Sequence, residues 1–185
     1  MELAEFFQNI KTPMTIVHVL GVIIGMGSAL ASDTLFSFFA KDKKLNKTEI
    51  STLSILAKIV SYSLVIIVIS GIFIFLSDVE KYMSSIKFMA KMSVLAVLLI
   101  NGYILNKYIW PHLITINFFT ARNERGMRKL AFACGAISVV SWMSVFVLGM
   151  LDSISLGYGM IMSIYFLIIL FGISVALEVE KRELN

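Results

Sequence analysis

Apolar residues run along the chain in five long blocks separated by short polar stretches, at residues 13–40, 49–77, 86–109, 130–151 and 155–178. A helix needs about 20 apolar residues to cross the hydrocarbon of a bilayer, so each block is long enough to span it. The pattern predicts an all-α polytopic transmembrane helix bundle forming one domain over residues 1–185. Ahead of the first block, Leu3, Phe6, Phe7 and Ile10 recur at i, i+3, i+4 and i+7. That spacing predicts a short amphipathic helix over 2–11 lying in the membrane interface. Thr12 and Pro13 then fit an N-cap and first helical residue. Asn46 and Glu49 have the three-residue spacing of a capping box for the second span. Pro111 is expected to end the third span near the interface, and a tight turn around Asp152 joins the last two spans.

Composition agrees. The chain is 58% hydrophobic and 15% charged with a mean hydropathy of +0.89, too little charge for a soluble protein's shell. Five spans nearly exhaust its 185 residues, leaving no room for a soluble catalytic domain. Met1–Asn9 carries Glu2 and Glu5 and no basic residue, which argues against a cleaved signal peptide. The single Cys134 excludes an intrachain disulfide.

The net charge of +4 is unevenly spread. One set of loops carries Lys41, Lys43, Lys44 and Lys47, then Lys107, Arg122, Arg125, Arg128 and Lys129, then Lys181 and Arg182. The opposite set has only Lys11, Lys81 and Lys87. Basic loops stay inside, so the N-terminus is expected outside and the C-terminus in the cytosol of a cell that carries the protein in its cytoplasmic membrane. The same residues are expected to meet anionic lipid rather than nucleic acid.

Ionisable residues within spans need a reason, because each costs roughly 3 kcal/mol or more in hydrocarbon. Counting along the helices places His18 and Lys91 at one level near the outer surface, and Asp33 and Lys58 at another near the inner one. Either lysine can also reach the headgroups by snorkelling; an Asp33–Lys58 ion pair is the expectation for the inner level. At 100° per residue His18, Gly21, Gly25, Ala29 and Asp33 are expected along one face of the first span, with Ser28 and Ser32 beside it, a small-residue groove for a neighbouring helix. Tyr62, Asn101, Trp142 and Tyr165 fall near span centres and form a polar and aromatic middle layer, with Cys134, Ser138 and Ser141 as a weakly polar stripe. This layer serves either interhelical hydrogen bonds or a cavity for a flat or polar ligand. His112, next to Pro111, reads as structural, and the methionines as core filler.

The run His18-Val-Leu-Gly-Val-Ile-Ile-Gly-Met-Gly, followed by Asp33-Thr-Leu-Phe, resembles the first span of small bacterial membrane proteins of the CopD and HemJ type. Ser70-Gly71-Ile-Phe-Ile-Phe and Lys87-Phe88-Met89-Ala90-Lys91 are similar to segments of their second and third spans, so that the resemblance covers roughly residues 14–110. It implies copper handling or haem b association, with His18 as ligand and Lys91 as its cationic neighbour. Met89 and Asn101 stand where the HemJ pattern has histidines, so its haem ligation does not carry over intact.

Three functions follow as expectations. The first is a haem- or metal-associated redox or cofactor-handling protein using His18, with copper or haem b as cofactor and a homo-oligomer as a source of a second ligand. The second is a small ion, proton or solute transporter using Asp33, Lys58, His18 and Lys91. The third is a non-catalytic subunit docked through Gly21, Gly25 and Ala29. The sequence lacks the Gly-x-Ser-x-Gly, His-Glu-x-x-His and phosphate-loop motifs of common hydrolases and nucleotide enzymes.

Overall fold

A computed structural model describes residues 2–41, 44–114, 118–119, 124–151 and 155–184. The chain folds into α1 (Glu2–Ala40), α2 (Lys47–Leu76), α3 (Val79–Met83) and α4 (Ile86–Ile104), then a π-helical turn (Leu105–Ile109) leading into α5 (Trp110–Leu113), and finally α6 (Arg125–Met150) and α7 (Tyr158–Leu184). Among the described residues five helices are long and apolar enough to cross a membrane, α4 through α5 counting as one of them. The protein is an all-α bundle of the polytopic membrane class, as the hydrophobic blocks predict. The turn around Asp152, and the loop residues Lys43 and Arg122, lie outside the described residues.

The expected capping box starts α2. Asn46 Oδ1 accepts from the Glu49 amide at 2.9 Å, and the Glu49 carboxylate accepts from the Asn46 amide at 2.8 Å. These bonds satisfy two of the donors that a helix start leaves orphaned.

The N-terminal segment differs from expectation. It is not a separate interfacial helix; α1 runs unbroken from Glu2 through Pro13. Packing explains the continuity. Phe7 lies against Phe73 with ring centroids 5.9 Å apart, and the Gln8 side-chain amide donates to the Ser77 carbonyl at 2.5 Å. The first three turns thus extend along the end of α2. At 1.5 Å per residue α1 is about 58 Å long, well beyond the hydrocarbon thickness.

Pro111 does not end the third span either. It has no N–H to donate, and its ring presses on the carbonyl four residues back. The helix widens into the π turn just before it, with the Trp110 amide donating to the Leu105 carbonyl five residues earlier, and continues to Leu113.

Two helix groups make the bundle. α2 packs along α1, while α4 and α7 pack on α6, and α1 meets α6 between them. Ala29, Ile67, Leu98 and Trp142 form the central core where the groups join. At the basic end, Ala40, Leu53, Ile109, Phe119 and Phe132 form a second core. Near it Glu180 of α7 pairs with Arg128 of α6, whose guanidinium also donates to the Phe118 carbonyl at 3.1 Å. The outward faces are apolar, with Phe171 71% exposed, the pattern of a surface solvated by lipid tails.

Candidate functional site

The small-residue line on α1 brings the site together because it winds. Four residues turn a helix by about 400°, so a four-residue repeat drifts about 40° per step. At Gly21 a Cβ would meet the side chains of Ile66 and Ile67, so this position faces α2. At Gly25 a Cβ would stand 2.6 Å from Trp142 Cη2 and 3.0 Å from Ser63 Cβ, between α6 and α2. Ala29 is buried in the central core. Asp33 has rotated fully to α6, where its Oδ1 is 3.1 Å from where a Cβ on Gly135 would lie. Gly21, Gly25 and Ala29 therefore act as helix-packing residues, and Gly25 makes the room that Trp142 occupies.

The expected Asp33–Lys58 ion pair does not form. Lys58 is exposed, and no ion pair joins the two among the described residues. Counting residues along the helices takes no account of azimuth. The buried face of α2 carries Leu53, Ser63, Ile67 and Ser70. Lys58 is five residues from both Leu53 and Ser63, which puts it about 140° away from that face.

Asp33 is left with a buried carboxylate oxygen, Oδ2, that has no hydrogen-bond partner among the described residues. It lines a cavity of about 100 Å³ with Ser32, Phe36, Asn106, Trp110 and Ala131 among its walls. That volume holds about three waters at about 30 Å³ each. Leu105 and Asn106 of the π turn line this cavity and also a larger one of about 500 Å³ between α2 and α4. Asn106 donates its side-chain amide to the Gly102 carbonyl at 3.0 Å, at the edge of the bulge. π turns inside helices recur at functional sites, and this one divides two cavities.

Of the expected middle layer, Asn101 and Trp142 both line the larger cavity and are 5% and 2% exposed. Asn101 donates from Nδ2 to the Cys134 carbonyl at 3.0 Å, which fixes the amide orientation because a carbonyl only accepts. Asn101 Oδ1 and Trp142 Nε1 remain buried without partners. Tyr165 lies elsewhere, sharing a 2.8 Å hydrogen bond with Ser141 between α7 and α6. Tyr62 is 68% exposed on the outer face of α2 and takes no part in the layer.

His18 forms a separate site. Its Nδ1 stands 3.0 Å from the Ile67 carbonyl and 3.1 Å from Ser70 Oγ, and its ring packs beside Gly71. Since the carbonyl can only accept, Nδ1 carries a proton, and the neutral ring keeps its lone pair on Nε2. Lys91 is within electrostatic reach of the ring. A metal-binding imidazole is commonly held by its other nitrogen in this way. Yet no group of three His, Cys, Asp or Glu residues capable of holding a metal occurs among the described residues. Among the described residues the site therefore offers a metal or a haem iron no more than the single imidazole nitrogen of His18. His112, as expected of a structural residue, bonds through Nδ1 to the Glu124 carboxylate at 2.9 Å.

The fold and site together define a polytopic helical membrane protein with an unpaired acid inside its bundle. No protein-family model matches the chain, and comparison with curated proteins and with solved structures likewise yields no match.

Proposed function

We propose that the chain is a small proton-moving carrier of the cytoplasmic membrane, with its basic end in the cytosol and Asp33 as the group that takes up and releases the proton. The unpartnered Asp33 carboxylate in a water-sized cavity carries this reading. A structural acid at that depth would be expected to have an ion-pair or hydrogen-bond partner. The adjoining cavities and the π turn between them support a route that reaches Asp33 from the membrane interior. A homo-oligomer would supply the wall that five helices without an internal repeat lack. The purified chain in liposomes loaded with a pH-sensitive dye should dissipate an imposed pH gradient. Asp33→Asn should fall to the rate of empty liposomes, and Asp33→Glu should retain part of the flux. Equal flux in wild type and Asp33→Asn would overturn the proposal.

His18 supports a second reading. Its Nε2 lone pair is set free by the Nδ1 contact, which suits an axial haem ligand shared between two copies and accords with the resemblance to HemJ-like proteins. A Soret band in the purified protein that is lost in His18→Ala would favour this reading. A colourless protein would exclude it.

A further inference from the structure

We infer that the cavity between α2 and α4 binds a neutral, membrane-soluble molecule with a carbonyl or hydroxyl group at one end. The cavity of about 500 Å³ is within the size range of small-molecule sites. No charged side chain among the described residues lines it, and hydrocarbon disfavours an uncompensated charge there. Its walls are divided along their length. Ser61, Asn101, Tyr103, Asn106 and Ser138 stand in the half toward the basic end, beside the apolar Ala57, Val60 and Leu105, whereas Val65, Val68, Ile69, Leu98 and Leu99 make the other half wholly apolar. Asn101 and Trp142 each leave a buried polar atom without a partner, one an acceptor and the other a donor. Both atoms are closed off as the side chains stand; after a small side-chain rotation Asn101 Oδ1 can accept from a hydroxyl and Trp142 Nε1 can donate to a carbonyl.

Depth argues against an ordinary phospholipid. Asn101 lies 12 residues, about 18 Å, from the Leu113 end of a 28-residue span. That is near the centre of the bilayer, beyond the reach of a phospholipid headgroup. A phospholipid could offer only its acyl chain and would leave both polar atoms unpartnered. Entry is lateral, because α2 packs on α1 and α4 packs on α6 and α7, leaving the cavity between the two groups.

The site goes beyond the proton reading and is tested separately from it. Trp142 is the reporter in a Trp110→Phe background, since the chain has two tryptophans. The full chain is placed in phosphatidylcholine nanodiscs and titrated with decylubiquinone, a neutral carbonyl-bearing probe. Trp142 fluorescence should be quenched saturably, and Gly102→Phe should abolish the saturation. Gly102 lines the cavity, and a Cβ there would meet nothing within 4 Å, so the ring fills the cavity without a clash at its base. Val68→Phe, which narrows the apolar half, is the second variant; circular dichroism and thermal unfolding verify that each folds. Quenching that rises linearly with probe, or saturable quenching that survives both variants in folded protein, would overturn the assignment. The first result would mean that the cavity holds only lipid chains, and the second that the probe binds elsewhere.

Discussion

At the scale of single residues, Asp33 and Gly25 show how one helix serves both packing and chemistry. Asp33 has a buried oxygen with no partner, and an unsatisfied buried polar group costs about 1–3 kcal/mol. Asp33→Leu should therefore raise stability by about 1–3 kcal/mol while abolishing proton flux, the trade expected at a functional position. Thermal unfolding in detergent, paired with the liposome assay, measures both. A destabilised Asp33→Leu would mean that the carboxyl is structural. Gly25 predicts the opposite effect. Gly25→Val places side-chain atoms where Trp142 already stands, and overpacking of this kind costs about 1–3 kcal/mol. Lower thermal stability and an altered Trp142 emission spectrum are the expected results.

At the scale of elements, the π turn is the feature that separates the two cavities. Deleting one of its exposed residues, Tyr108, together with Pro111→Ala, should restore an α-helical register from α4 into α5 without loss of helix. Circular dichroism should remain that of the wild type, while Leu105 and Asn106 leave their shared position and proton flux falls. Retained flux would show that the bulge only accommodates Pro111. Much of this scale was legible in the sequence. The Asn46 and Glu49 side chains declared the start of α2, and the apolar blocks declared five spans. The continuity of α1 was not legible, because it depends on Phe7 and Gln8 meeting Phe73 and Ser77, far along the chain. Pro111 signalled a disturbance, but not that the helix would absorb it by widening.

At the scale of the whole molecule, the distribution of charge predicts an orientation. Lys44 belongs to the basic end and Glu80 to the other. In a Cys134→Ala background, Glu80→Cys should react with a membrane-impermeant thiol reagent on intact cells, and Lys44→Cys should react only after lysis. The reverse labelling would invert the topology. Counting along the spans singled out His18, Asp33, Asn101 and Trp142. The direction each faces was not fully readable. The drift of a four-residue line carries Asp33 around to α6, and Lys58 lies off the buried face of α2, so two residues at one level never meet. Tyr62 shows the same limit: central in its span, yet pointed outward. Which helices become neighbours decides these cases, and short loops leave that choice to packing.

The central claim is that Asp33 exchanges a proton inside the bundle. Infrared difference spectroscopy of the reconstituted protein after a pH jump tests it most directly. Wild type should show a carboxylic-acid C=O band that changes with the jump and disappears in Asp33→Asn. A spectrum without such a band, or with one unchanged by Asp33→Asn, would contradict it.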